Sequence, residues 1–404
     1  MAPLVVQIGA GIQIPPNASR VLQALGILPK TAAVANNVKS LQMRRYKDGK
    51  LLVDRPIRYP TPWLVIHRAD YHQVLMDAAR DLGVEIRLDA KVHHVDFETG
   101  QAHLEKGEVI ESDVIIGADG LWSSTRGAML GHQSEPFETG DLAYRATFSR
   151  DQLQDLDDPR ITALLQVEGV TLWMGPEKHC VFYPVQNGKQ LNMVLLRPDN
   201  LATGVRTEQG DIGEMRKTFE DWDPVLSKII SCVPSVLKWK LMHHDELKQW
   251  VKGSVALLGD ACHPTLPYQA QGAAMAVEDG AIIGQLLTQL NAFLSTQQLT
   301  PADRAARVND VLKLYESAQK ERTTTNVRGA INNRHFYHLP DGTEQKERDE
   351  MLARHTWTNE SSKYLWCDTA YNHQLLLSDV LENARKAFES WKRDQGPGSN
   401  TARL

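Results

Sequence analysis

The chain has 404 residues, 42% hydrophobic and 24% charged, with a formal net charge of -5. That leaves room for two or three domains with ample core, and the acidic balance excludes the basic footprint of a nucleic-acid binder. No apolar run is long enough to span a membrane, no secretory signal opens the chain, and Cys180, Cys232, Cys262 and Cys367 lie far apart without zinc or disulfide spacing, so a cytoplasmic protein is expected.

Residues 4 to 14 run Leu-Val-Val-Gln-Ile-Gly-Ala-Gly-Ile-Gln-Ile. A dinucleotide fingerprint needs a strand, Gly-x-Gly-x-x-Gly and a closely packed helix. Here the third glycine is missing and Pro15-Pro16 stop any immediate helix. The segment reads as a loop closing over a ligand, or as an ordinary glycine turn. A helix is expected from Pro16 to about Leu25, ended by Gly26, and a hairpin over 41–58 turning at Lys47-Asp48-Gly49-Lys50. Residues 69–82 place Tyr71, Val74, Leu75, Ala78, Ala79 and Leu82 on one helical face, and strands are expected at 84–88, 91–97, 101–105 and 109–111.

Two stretches share one design. Val114 to Ile116, entered from Asp113, and Val255 to Leu258 are apolar runs that suit strands buried on both faces of a parallel sheet. Each ends in an acidic glycine turn, Gly117-Ala118-Asp119-Gly120 and Gly259-Asp260. After the second, Gln271-Gly272-Ala273-Ala274 opens a long helix with no bulky side chain, a place where backbone N–H groups can meet an anionic or polar ligand. Between the two stretches, 141–198 is strand-rich with one wet face. Residues 211–247 read as mainly helical with a strand at 236–242, and 273–295, 302–329 and 376–392 as helices.

In order, four motifs carry a resemblance. Gly9-Ala10-Gly11-Ile12-Gln13-Ile14-Pro15-Pro16, His67-Arg68-Ala69-Asp70, Gly117-Ala118-Asp119-Gly120 and Gly259-Asp260-Ala261-Cys262-His263-Pro264 resemble the segments of the class A FAD-dependent aromatic monooxygenases of the salicylate hydroxylase and 6-hydroxynicotinate 3-monooxygenase type. The resemblance implies an α/β fold of mixed α+β character, with an FAD/NAD(P)-binding Rossmann-like domain, an inserted antiparallel-sheet substrate domain and C-terminal helices. The FAD domain is expected from 1–40, 67–138 and 248–330, the substrate sheet from 41–66 and 139–247, a helical segment at 331–394 and a disordered tail at 395–404. The family's opening strand, Gly-x-Gly-x-x-Gly and helix are not among these residues, so weak FAD binding is expected.

The resemblance also implies roles. Ala10 and Gly11 run beside the flavin ring, Arg68 contacts it, Asp119 contacts a nucleotide, Asp260 bonds the ribityl chain, and Gly272 and Ala273 face the pyrimidine. Without the resemblance, Asp260 is a turn or cap aspartate and Asp119 a strand-end turn. Arg145 and Tyr183, on strands of the inserted sheet, match positions where fungal hydroxylases hold a substrate phenolate; otherwise they are a surface ion pair and a core aromatic. His179 is expected at the surface. FAD is the implied cofactor, NADPH or NADH the cosubstrate, and a phenolic or heteroaromatic small molecule and oxygen the reactants, with oxygen activated as a flavin C4a-hydroperoxide. The other open readings are a weakly FAD-binding or inactive homologue serving as a non-redox small-molecule-binding protein, and a cyclase.

Overall fold

The structure is a computed structural model and describes residues 10–395. The apolar run before Ala10 and the expected tail beyond Gln395 lie outside the described residues. The chain divides into two compact units, each built from three separated segments. The first is Met1–Glu85, Glu138–Met242 and Gly329–Leu377; the second is Ile86–Phe137, His243–Arg328 and Ser378–Leu404. The expected mixed α/β fold is what the chain adopts, with parallel pairing, a large sheet that is antiparallel except where Gly169–Gly175 meets Ser40–Arg45, and C-terminal helices.

The first unit is organised by an eight-stranded sheet in the order Thr207–Gly210, Val236–His243, Phe137–Ser149, Gln190–Pro198, Lys178–Val185, Gly169–Gly175, Ser40–Arg45, Leu51–Pro56. Side chains alternate across it. Tyr144, Ala146, Phe148, Cys180, Phe182, Met193 and Leu195 point into one apolar core with Met215, Phe219, Leu226 and Ile229 from the covering helices. The other face receives Arg145, Val181, Tyr183, Asn192 and Val194. Arg145 sits opposite Val194, Val194 opposite Val181, and Asn192 opposite Tyr183. A smaller sheet pairs Gly11–Ile14 with Leu64–His67 and the latter with Asn36–Asn37. The hairpin turns where expected, with Gly49 in the left-handed region at φ +66°.

One expected strand is missing here, and one expected helix forms with little of its apolar face buried. The helix Arg68–Asp81 forms and ends before Gly83, but of its apolar stripe only Tyr71 is buried, and Leu82 just past its end is 85% exposed. Spacing creates a helix face without saying what covers it. Residues 84–88 are irregular, with Val84 and Leu88 more than half exposed at 53% and 57%. An alternating run becomes a strand only beside another strand; here the Val84 N–H donates instead to the Ala79 carbonyl at the end of the preceding helix, at 3.1 Å.

In the second unit, Val255–Leu257 pairs in parallel with Ile115–Gly117 and antiparallel with Val251–Lys252. All three residues of Val255–Leu257 are fully buried. A separate meander joins Val92–Asp96, Gln101–Leu104 and Val109–Glu111. The helix Gly272–Leu294 packs against Val380–Asp394, and the long helix Pro301–Tyr337 brings Tyr315 to donate to the Leu257 carbonyl at 3.0 Å. Among the described residues no helix is long and apolar enough to cross a membrane.

Candidate active site

The first unit brings Ala10, Gly11, Arg68, Arg145 and Tyr183 together. Gly11 pairs with His67 across the small sheet, and the Arg68 N–H donates to the Ala10 carbonyl at 3.2 Å. Two motifs whose starts, Gly9 and His67, lie 58 positions apart therefore meet by strand pairing. The Gly11 N–H donates to Asn192 Oδ1 at 2.7 Å, and Asn192 is fully buried. A Cβ on Gly11 would stand 2.5 Å from Tyr183 Cε2 and 2.8 Å from its hydroxyl oxygen. Only glycine lets the loop lie this close to that ring.

Burial raises the pKa of the Tyr183 hydroxyl strongly; the Arg145 charge and the Asn192 amide pull the other way without overcoming it. The phenol is therefore a neutral donor at physiological pH. Burial also lowers the pKa of Arg145, Tyr183 opposes that, and Arg68 adds to it. A guanidinium stays charged through such a shift. Its Nε has no hydrogen-bond partner among the described residues, and its carbon lies 5.6 Å from the Trp239 ring centroid. Trp239 is 45% exposed rather than core, stacking on the arginine as a cation–π partner. His179 departs from expectation too. It is buried, its Nδ1 lies 2.7 Å from His338 Nε2, and burial holds both rings below the ordinary histidine range.

The second unit holds Asp119, Asp260, Gly272 and Ala273. Because Gly117 and Leu257 are partners in parallel strands, both acidic turns leave the sheet side by side at its carboxyl end. That is where open α/β sheets bind ligands. Asp119 is engaged locally: its carboxylate accepts from Ser123 Oγ at 2.6 Å and from Thr125 N and Oγ1 at 3.0 Å each. Burial works against its charge, but these hydrogen bonds win and its pKa falls. Asp260 is exposed on a short 3-10 turn. Gly272 and Ala273 open their helix with no side-chain cap bond and no acidic residue in the first turn.

Three residues that hold the acidic turns or the Gly11 loop carried no clear sequence signal. Arg126, fully buried, donates to the carbonyls of Ala261 at 3.1 Å, Leu121 at 2.7 Å and Ser134 at 3.0 Å, tying the two acidic turns together. Asp279 accepts from the Gly259 N–H at 2.9 Å and from His263 Nε2 at 2.6 Å. Burial alone would discharge His263, but the Asp279 carboxylate overrides it and holds the imidazole protonated well above its usual range. Asn192 is the third, and only the strand register reveals it.

Comparison with known proteins gives this geometry its class. Residues 11–297 match the FAD binding domain family. The chain is 38% identical over 405 residues to the FAD-dependent monooxygenase OpS4 of Beauveria bassiana, covering 97% of this chain and 91% of that one. It is 31% identical to a 6-hydroxynicotinate 3-monooxygenase of Bordetella bronchiseptica, over 80% of this chain and 85% of the other. Its fold matches a salicylate hydroxylase substrate complex with a TM-score of 0.76 at 21% identity, covering 94% and 90% of the two chains. The chain belongs to the class A flavoprotein aromatic monooxygenases. It is an FAD-dependent monooxygenase, an oxidoreductase whose cofactor is FAD.

Proposed function

We propose that this protein hydroxylates a phenolic or heteroaromatic small molecule with oxygen, consuming NADH or NADPH. The observation that carries the reading is the meeting of a half-buried, charged Arg145 with a neutral Tyr183 hydroxyl against the Gly11 loop. A cation and an O–H donor suit one ligand atom well, the oxygen of a phenolate. Fixing that negative charge keeps the phenol deprotonated and its ring electron-rich, which is what attack on an electrophilic oxygen requires. Trp239 adds an exposed aromatic wall beside Arg145.

The residues present suit FAD. The close approach at Gly11 leaves the loop backbone, with Ala10 and Arg68, to lie along a flat ring system. The exposed Asp260 carboxylate suits the hydroxyls of a ribityl chain, and the uncapped helix start at Gly272 and Ala273 suits negative charge on a reduced ring. Asp119 keeps its role as a nucleotide contact in this proposal only if it gives up part of its local bonding. When bound, FAD supplies oxygen activation after reduction by the nicotinamide. The protein's own residues bind and orient the phenolate, hold its charge and exclude water. Four free cysteines fit a cytoplasmic setting.

The test follows NADH and NADPH oxidation, oxygen uptake and product mass with a panel of hydroxybenzoates and hydroxypyridines on FAD-supplemented protein. Substrate-stimulated oxygen uptake matched to a product 16 mass units heavier is expected, with Tyr183→Phe lowering kcat/KM about 10²-fold or more and Arg145→Gln comparably. Product formed without oxygen, or full activity in both variants, overturns the reading.

A further inference from the structure

We propose that the second unit carries a separate binding site for a small hydroxyaromatic carbonyl compound, a single ring bearing a carbonyl oxygen and a hydroxyl group. The site is a cavity of about 210 Å³ between the Gly-Asp loop and the helix Pro301–Tyr337. Trp250, His263, His243, Thr324, Val327 and Arg328 are among its lining residues. The inference comes from this cavity alone and does not depend on the chemistry proposed for Arg145 and Tyr183.

The loop beside the cavity is otherwise well paired. Asp279 accepts from Gly259 and His263, the Cys262 thiol donates to the Gly259 carbonyl at 3.4 Å, and Tyr315 donates to Leu257. Asp279 Oδ1 apart, the unpaired atoms among these neighbours sit on residues lining the cavity. Trp250 Nε1, His263 Nδ1 and His243 Nδ1 are buried and have no hydrogen-bond partner among the described residues. Trp250 is 1% exposed and His263 7%. An unpaired buried polar atom carries an uncompensated desolvation cost, so three on residues lining one cavity call for an occupant.

The three atoms define what that occupant offers. The indole N–H can only donate. His263 gives its Nε2 to Asp279 and is held protonated, so its Nδ1 also donates. The Trp250 and His263 ring centroids lie 5.2 Å apart, which puts the two donor-bearing rings side by side in the lining. His243 donates to the Pro264 backbone and burial keeps it neutral, leaving Nδ1 as an acceptor. The ligand must therefore present an acceptor oxygen and, separately, a hydroxyl donor. At the rim, Glu246 lies 3.9 Å from Arg328, and Asp245 adds a further negative charge. Net charge does not recruit a strong anion, so a carbonyl suits the site better than a phosphate. A cavity of about 150 Å³ accommodates benzene, so this volume takes one ring with a few substituent atoms. The Trp250 indole provides its aromatic wall. An occupant here braces His263 and Pro264, three and four residues beyond Asp260.

The probes are 2- and 4-hydroxyacetophenone, with acetophenone lacking the hydroxyl. Binding is measured by calorimetry and tryptophan fluorescence on the FAD-supplemented 404-residue protein carrying Arg145→Gln and Tyr183→Phe, which weaken ligand binding on the sheet face. One saturable site is expected, with acetophenone about tenfold weaker. Trp250→Phe keeps the ring and removes the N–H; Val327→Phe fills the cavity. Each should weaken binding about tenfold or more with melting temperature retained. If Trp250→Phe fails to fold, Val327→Phe decides alone. No saturable binding into the millimolar range means that water fills the cavity, and the proposal falls. It falls equally if Val327→Phe leaves affinity unchanged, or if binding disappears in the Arg145→Gln/Tyr183→Phe protein while surviving Trp250→Phe in the parent.

Discussion

A single methyl group at Gly11 tests the active-site geometry most directly. Its Cβ would stand 2.5 Å from Tyr183 Cε2, whereas carbon atoms settle at about 3.5–4.0 Å. Something must move by about 1 Å. Tyr183 is 3% exposed and its strand is hydrogen-bonded on both sides, so the ring cannot simply swing away. The loop moves instead, stretching the 2.7 Å bond from the Gly11 N–H to Asn192. A misplacement of about 1 Å costs roughly 10²-fold in rate, equivalent to about 2.7 kcal/mol. Overpacking of this kind costs folding about 1–3 kcal/mol, so the variant should remain folded. Gly11→Ala should therefore lose about 10²-fold in kcat/KM for the hydroxylated substrate and bind FAD more weakly, with a modest fall in melting temperature. The assay is a double-mutant cycle with Tyr183→Leu, whose missing ring leaves room for the methyl. In that background Gly11→Ala should add less than about threefold, a coupling of more than 1 kcal/mol. If Gly11→Ala stays within threefold of the parent, or costs the same with and without the tyrosine ring, the proposed packing of loop on Tyr183 is wrong.

Asn192→Asp keeps the acceptor for Gly11 but replaces the amide that acts on Tyr183 with a second anion, so kcat/KM should fall about tenfold or more while FAD affinity, read by fluorescence quenching, changes little. Asp260→Ala should weaken FAD binding about tenfold with melting temperature held, because the exposed carboxylate is assigned to cofactor rather than to core; unchanged affinity would remove it from the site. The His179–His338 pair gives a pH signature. Burial lowers the pKa of His338 to about 4 and that of His179 well below 6.5, so below about 6.5 the unfolded chain binds more protons than the folded one. Stability should therefore be full above pH 6.5 and fall as pH drops toward 4, by about 3 kcal/mol for His338. His338→Gln should flatten that slope in urea titrations at pH 7.5 and 5, and an unchanged slope would remove this pair as its cause.

Local patterns carried most of the elements. The Gly49 turn, the helix from Pro16, the buried strand at Val255 and the helix opening at Gly272 are each written in a few adjacent residues, because turn conformation, helix punctuation and two-sided burial are short-range matters. What failed was whatever needed a neighbour. Residues 84–88 alternate as a strand should, yet a strand exists only beside another strand. The stripe on Arg68–Asp81 has helical spacing, yet burial depends on what lies opposite. His179 lies between Lys178 and Cys180 in a segment that looks wet, and it is buried because His338, 159 positions later, comes to meet it.

The same distinction runs through the site. Arg145 and Tyr183 could be singled out because their residue types announce charge and phenol chemistry and a family pattern places them. Asn192 announces nothing: an asparagine in a strand is unremarkable until the register sets it across from Tyr183 and the small sheet brings Gly11 onto it. Trp239 and Arg126 are of this kind, the one significant through a cation 94 positions away, the other through a carbonyl 135 positions away. The groups that position a site lie furthest from it in sequence because holding two segments together is their work. A residue that joins distant segments shows its meaning only when both ends are in place. For this reason the residue types proposed for the chemistry were more legible than the groups that support them, and the substitutions at Gly11 and Asn192 ask more of the structure than those at Arg145 and Tyr183.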